Sequence, residues 1–286
     1  MTDPEIFSCI TKENIHLHAA LHRAKRNRKN LTILYFHGGG LLYGISADLP
    51  EIYINEFLNS GYNFLTLDYP LAPETKLHLI LKSTFELLSF YLKNFDTIFS
   101  LESNAYVLMG RSAGAYICFM MYDRLIKSKA LLPKALISLY GYARLDEVEF
   151  NTPSKYYKKL AIIPDESIKK IISDQPVTYG PMNLRFCLYI KARQEGTWIR
   201  QLCGTDEPQK YSISDETLKM FPPTILAAAT LDPDVPYRIS KTLSKRIPNA
   251  HLITIYQDIH DFDRDIHNAS SKATYKEIIN WLENKR

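Results

Sequence analysis

The sequence predicts an α/β fold, with a mainly parallel sheet of about eight strands and helices on both faces. Three observations predict it. Short, continuous apolar runs of strand length recur along the chain, at Leu31–Phe36, Asn63–Asp68, Ala105–Met109, Ala135–Tyr140, Thr224–Thr230 and His251–Tyr256. Such uninterrupted runs suit strands buried on both faces. Helix-like segments separate most of them, and strands alternating with helices imply crossovers and a parallel sheet. Finally, several runs end in glycine-rich or polar turns, and the carboxyl ends of parallel strands are where ligands bind in such sheets.

Composition allows this. The 286 residues are 46% hydrophobic and 23% charged, which is globular rather than disordered, and one domain with an insertion is the simplest partition. A net charge of +4 does not point to nucleic acid or a membrane surface. The amino terminus, MTDPEIFSC, lacks the layout of a signal peptide, and no run approaches the roughly 18 apolar residues of a membrane span. Cys9, Cys118, Cys187 and Cys203 are scattered without a C-x-x-C pair. They read as reduced thiols, and a cytoplasmic location is expected.

Taken in order, residues 15–22 alternate strictly, with Ile15, Leu17, Ala19 and Leu21 on one face and His16, His18, Ala20 and His22 on the other. The histidine face reads as solvated, because no carboxylate or cysteine is placed to complete a metal site. Arg23–Asn30 is a basic loop. Leu31–Phe36 then runs into His37-Gly38-Gly39-Gly40, where adjacent glycines let a backbone approach a ligand and present its N–H groups. Pro50–Ser60 reads as a short helix stopped by Gly61, and 75–95 as a longer one with Leu77, Leu81, Phe85, Leu88 and Leu92 on its packing stripe. The strand at Ala105–Met109 enters Gly110-Arg111-Ser112-Ala113-Gly114, followed by a helix over Ala113–Lys127. After the strand at Ala135–Tyr140 the alternation stops. Residues 142–215 are rich in Tyr, Lys, Pro and short helical stretches, with ten acidic and ten basic residues over 146–215. They read as an insertion, a cap or lid over the site. The core is then 1–141 plus 216–286, where alternation resumes with a helix at Ser240–Ile247 and a last helix at Ser270–Asn284.

Four features fall at strand ends: Gly38-Gly39, Ser112, Asp232 in Leu231-Asp232-Pro233-Asp234, and His260 in Ile259-His260-Asp261-Phe262. A G-x-S-x-G turn between strand and helix lifts the serine Oγ clear of the sheet. By itself the pattern is weak: three fixed positions at roughly 7% usage match by chance in about one chain in ten of this length. Ser112 alone could be a helix cap, Asp232 a turn residue and His260 a surface histidine. Together, in the order Ser, Asp, His, they form a catalytic constellation. Asp232 follows Ser112 by 120 residues and His260 follows Asp232 by 28, leaving room for the insertion and then for one helix and one strand.

On these residues the chain resembles the α/β-hydrolase superfamily, and within it the HGGG esterases related to hormone-sensitive lipase. The matching segments are HGGG at 37–40, DYPLAPE at 68–74 (similar to the family's YRLAPE), GRSAG at 110–114, Asp-Pro at 232–233 and HDF at 260–262. The departures are Arg111 for the family's aspartate before the serine, Ala115 for a further glycine, and Asp234 in the place of leucine in the family's DPL. The resemblance implies a serine hydrolase acting on small carboxylic esters with short or medium acyl chains, without cofactor, metal, nucleic-acid or membrane partner. An amidase, formamidase or peptidase with the same triad, or a silent ligand-binding protein on this fold, are the alternatives. It further implies Ser112 as nucleophile, His260 as base, Asp232 as its partner in preference to Asp234, and the N–H groups of Gly38, Gly39 and Ala113 as the oxyanion hole. His37 is expected to fix the glycine loop. Leu41, Leu42, Tyr43, Tyr142 and Trp198 are expected to line an apolar pocket, with core packing an open alternative for Trp198.

Overall fold

A computed structural model describes residues 3–284. Eight strands form one sheet in the order β1-β2-β4-β3-β5-β6-β7-β8: β1 (Glu5–Ile10), β2 (His16–His22), β3 (Thr32–Phe36), β4 (Asn63–Leu67), β5 (Tyr106–Arg111), β6 (Ala135–Leu139), β7 (Thr224–Ala229) and β8 (Ala250–Ile255). From β4 to β8 every pairing is parallel, and β1 and β2 join antiparallel at one edge. The central strands β3 to β7 are buried on both faces, as their unbroken apolar runs require.

β1 is the strand that the apolar pattern does not reveal. Its register sets Ile6 opposite Ala20 and Ile10 opposite His16, and both isoleucines are exposed. An outer edge strand has only one neighbour and buries little, so its sequence EIFSCI carries no clear period. β2, one strand in, alternates as expected: Leu17, Ala19 and Leu21 are buried, while His16 and His18 face out.

The alternation of side chains along the strands divides the core in two. Leu34 and Phe36 face α2 (Leu77–Asn94) and α3 (Ala113–Ser128), whereas Ile33 and Tyr35 face a layer whose helical residues come from Glu51–Asn59 and Ala269–Glu283. These last two helices are α1 and α10. On α2 the buried stripe is Leu77, Ile80, Leu81, Thr84, Leu87, Leu88 and Tyr91; Phe85 and Leu92 sit at its half-buried margin instead of on its centre. Between β6 and β7 the chain forms α4 (Val148–Asn151), α5 (Asp165–Lys169), α6 (Met182–Glu195), α7 (Trp198–Cys203) and α8 (Asp215–Leu218). Buried residues of α6 and α7, among them Leu188, Ala192, Trp198 and Leu202, share one core cluster with α2 and α3. Leu188, Ala192, Glu195 and Ile199 are helically spaced in the sequence but fall on two helices, because Gly196 takes a left-handed conformation and ends α6. α9 (Tyr237–Arg246) starts three residues before the expected Ser240, since Pro236 already holds φ at −55° at its amino end.

Candidate active site

β5 and α3 meet at Ser112 without an intervening loop. The serine takes φ 51° and ψ −117°, a conformation that costs a non-glycine residue about 1–3 kcal/mol. Two glycines make this turn possible. A Cβ on Gly110 would overlap the Gly114 backbone, and a Cβ on Gly114 would overlap the carbonyls of Phe36 and His37 at the end of β3. G-x-S-x-G is therefore a packing requirement here: the strand, the turn and the start of the helix lie in contact at backbone distance.

Ser112, Asp232 and His260 come together from the ends of three strands. His260 Nε2 lies 3.0 Å from Ser112 Oγ, and His260 Nδ1 lies 2.7 Å from Asp232 Oδ2. The second Asp232 oxygen accepts the backbone N–H groups of Asp234 and Val235 at 2.8 and 2.9 Å, which fixes the carboxylate's orientation. Because an ionised carboxylate only accepts, Nδ1 carries a proton and Nε2 of the neutral ring is free to accept from Ser112. Asp234 does not meet Nδ1; its Oδ2 lies 3.9 Å from Nε2, on the serine side of the ring. Burial of His260 opposes its charged form. The carboxylates of Asp232, Asp234 and Asp261 outweigh that penalty and push its pKa up to about 9.

The glycine loop after β3 faces this constellation. A Cβ on Gly38 would lie 3.6 Å from Ser112 Cβ. Among the described residues, no backbone carbonyl takes the N–H of Gly38, Gly39 or Ala113. Ala113 is also the first residue of the 16-residue helix α3, whose amino end favours negative charge. His37 is fully buried. Its Nδ1 donates to Gly38 O at 2.7 Å, its ring stacks on Tyr69 at 4.1 Å, and the Tyr69 hydroxyl donates to His37 O at 2.8 Å. Burial lowers the His37 pKa, which suits a neutral ring that buttresses the loop.

A cavity of about 180 Å³ opens beside Ser112 and His260. Of the residues expected to line it, Tyr43 does so, but Leu41, Leu42, Tyr142 and Trp198 do not. These four are buried in the core. Tyr142 stacks on Tyr116, and the Trp198 indole N–H donates to Gly40 O at 2.9 Å. An apolar or aromatic residue near the site in sequence is ambiguous between lining a pocket and supporting it, and at these positions the side chains lie beneath the loop. The lining comes instead from Ile45, Pro181, Met182 and Tyr189, together with an unusual share of charge: Asp48, Asp234, Asp261, Arg111 and Arg264.

Three buried arginines hold these walls, and no sequence motif announces their partners. Arg111 bonds Tyr140 Oη at 2.5 Å, Asp48 Oδ2 at 3.2 Å and Asp263 Oδ1 at 2.9 Å, joining the Ser112 turn to the His260 loop. Arg185 on α6 grips Glu74 with two bonds of 2.9 and 2.8 Å and donates to the carbonyls of Leu42 and Ala72, both at 3.0 Å. It clamps α6 to the glycine loop and to the turn after β4. Arg193 lies 3.3 Å from Asp234 Oδ1 and packs against the rings of Phe150, Tyr157, Tyr189 and Trp198. The acidic ends of the DYPLAPE and LDPD segments were the available signals, but carboxylates in turns have many ordinary uses.

Residues 33–263 match a family described by the alpha/beta hydrolase fold. A Staphylococcus aureus protein of unknown function is 31% identical, with a TM-score of 0.85 and 98% of each chain covered. An alpha/beta hydrolase superfamily protein from Enterococcus faecalis is 29% identical, with a TM-score of 0.81 over 97% of this chain and 98% of the other. Carboxyl esterase 2 of the fungus Tuber melanosporum shares the fold at 20% identity and a TM-score of 0.70, over 99% of this chain and 87% of its own. A search of curated proteins finds no match. Among the described residues, no helix is long and apolar enough to cross a membrane.

Proposed function

Since the chain belongs to the alpha/beta hydrolase family, we propose that it is a serine esterase that cleaves small carboxylic esters through an acyl-enzyme. The observation that carries the reading is the continuous line from Ser112 Oγ through His260 to Asp232, at 3.0 and 2.7 Å. The cavity of about 180 Å³ beside it supports a small substrate.

In this mechanism Ser112 Oγ attacks the ester carbonyl carbon while His260 Nε2 takes its proton. The oxyanion is received by the N–H groups of Gly38, Gly39 and Ala113, donors whose individual loss costs about 3–4 kcal/mol in related sites. Asp232 holds the ring's tautomer and stabilises the imidazolium. The carbon–oxygen bond to the alcohol breaks, and the leaving alkoxide takes the proton from Nε2. Water, deprotonated by the same nitrogen, then releases the acid and restores Ser112. Residues 142–215 act as the cap: Pro181, Met182 and Tyr189 supply a wall of the cavity.

The test is hydrolysis of p-nitrophenyl esters from acetate to decanoate by the wild-type protein and by Ser112→Ala. Turnover is expected to peak at the short chains and to fall by about 10⁶-fold in kcat in the variant. Turnover retained by a folded Ser112→Ala protein would sink the mechanism, and an optimum at decanoate would overturn the small-substrate reading.

A further inference from the structure

The cavity beside Ser112 is lined by charged side chains, three aspartates and two arginines, where a simple ester pocket would be apolar. Asp234 occupies the place of leucine in the family's DPL and presents its carboxylate to that cavity. Its setting holds it rigidly. The Tyr189 hydroxyl lies 2.9 and 3.0 Å from its two oxygens, the Tyr157 hydroxyl donates at 3.1 Å, and Arg193 approaches at 3.3 Å from behind. Arg193 does not line the cavity. The two guanidiniums that do are engaged elsewhere, Arg111 with Asp48 and Asp263, and Arg264 with Asp261. Around the site, Asp48, Asp232, Asp234, Asp261 and Asp263 therefore outnumber Arg111, Arg193 and Arg264. Asp232 is paired with His260, Asp234 with Arg193 and Asp261 with Arg264, so the carboxylate in excess comes from Asp48 and Asp263, which share Arg111, while Asp234 is the lining carboxylate nearest to His260 Nε2. The rings of Tyr43, Tyr140 and Tyr189 complete the lining. Carboxylate and aromatic faces together are what a desolvated cation seeks.

Position relative to the reacting atoms indicates which part of a substrate would be read. His260 Nε2 must come within hydrogen-bond distance of the leaving oxygen to protonate it. Asp234 Oδ2 is 3.9 Å from that nitrogen. A positive nitrogen two carbons beyond the leaving oxygen falls within reach of the carboxylate. We propose that Asp234 makes this site select esters whose alcohol portion is cationic, an amino or quaternary ammonium alcohol. The inference rests on the esterase reading above. It goes beyond it in naming the substrate class and the residue that sets it.

The experiment compares acetylcholine with 3,3-dimethylbutyl acetate, in which carbon replaces the charged nitrogen at nearly constant shape, with p-nitrophenyl acetate as the control for the esterase reading. Followed by pH-stat, the wild-type kcat/KM is expected to favour the cationic ester by about tenfold or more. In Asp234→Asn the ratio falls towards one. Because it is a ratio, any general effect of the substitution on His260 cancels. Equal use of the two esters by the wild type, or an unchanged ratio in Asp234→Asn, overturns the proposal. So does hydrolysis of p-nitrophenyl acetate with neither alkyl ester accepted. Should Asp234→Asn fail to fold, the wild type decides. Competitive inhibition by choline, but not by 3,3-dimethylbutan-1-ol, supports the cation site, and equal inhibition by the two overturns it. Should no ester be turned over, the esterase reading fails separately, and calorimetric binding of choline against the same neutral alcohol still tests the site.

Discussion

The two walls of the cavity are built on different principles. The wall that carries Ser112, Asp232, His260 and the glycine loop is placed by the backbone. Each element continues from a parallel strand, buried on both faces for β3, β5 and β7 and half-buried for the edge strand β8, and the sheet's register aligns the strand ends. The opposite wall, contributed by α6 with Asp234, is placed by side chains. Arg185 reaches Glu74 across 111 residues of sequence, and Tyr189 reaches Asp234 across 45. Backbone placement is set by local pattern and is shared by any sequence with the same strand ends. Side-chain placement depends on particular distant partners, so a substitution at either partner can alter it. A hydrolase fold can in this way keep one wall constant for chemistry and vary the other for substrate.

If the comparison is right, substitutions in the first wall change rate with little effect on stability, and substitutions in the second do the reverse. The largest effect is expected for Asp232→Asn. The asparagine oxygen can keep the N–H groups of Asp234 and Val235, while its NH₂ turns to His260 Nδ1 and forces the other tautomer. Nε2 then carries a proton and cannot accept from Ser112. A fall of about 10⁴-fold in kcat is expected, with an unfolding midpoint in urea close to that of the wild type. A loss of stability as large as the loss of rate would erase the distinction between the walls.

The complementary break is Arg185→Met. It leaves Glu74, whose side chain is 1% exposed, without its counter-charge, a change that costs about 3–5 kcal/mol in comparable buried pairs. Urea denaturation should report that loss. Because Arg185 also bonds Leu42 O, just beyond the glycine loop, a secondary fall in kcat is expected. The double variant Arg185→Met with Glu74→Gln should recover part of the stability, since it removes the orphaned charge. No recovery would mean that the bonds to Leu42 and Ala72, and not the ion pair, hold the wall.

The same distinction explains what could be read from the sequence. Seven of the eight strands are legible because burial on both faces, or on one, imposes an apolar run or an alternation. The edge strand β1 buries too little to leave such a mark. Ser112, Asp232 and His260 are legible because each sits in the turn that ends a legible strand. Trp198 and Tyr142 show that hydrophobicity identifies burial but not which side of a loop is occupied: both are packed in the core and leave the cavity to Tyr43, Met182 and Tyr189. Nothing in the sequence marks Arg111, Arg185 and Arg193 as buried. Their aspartate, glutamate and tyrosine partners lie too far along the chain for spacing to reveal them.

The two walls meet at His260, and the finest test of the comparison is its titration. Asp232 and Asp261 approach the imidazole from the first wall and Asp234 from the second; Tyr140 packs against its ring, with Arg264 paired to Asp261 and Arg111 to Asp263. Burial alone would lower the pKa, but the carboxylates prevail and set it at about 9. His260 must be neutral to accept the Ser112 proton. For a neutral p-nitrophenyl ester, corrected for spontaneous hydrolysis, kcat/KM should therefore rise tenfold per pH unit below the pKa and level off near pH 9. At pH 7 only about 1% of the free enzyme would hold a neutral imidazole. Removing the charge of Asp234 withdraws stabilisation from the imidazolium, so in Asp234→Asn the limb should move to lower pH. A movement of about one unit corresponds to about 1.4 kcal/mol of differential stabilisation. It would make the variant faster than the wild type at pH 7 on this neutral substrate. That gain, set against the loss of preference for a cationic alcohol, would identify the second wall as serving specificity at the expense of the fraction of neutral imidazole at pH 7. A wild-type limb near pH 6.5 would show that burial cancels the carboxylates, and a limb unmoved in Asp234→Asn would show that the second wall does not reach the base.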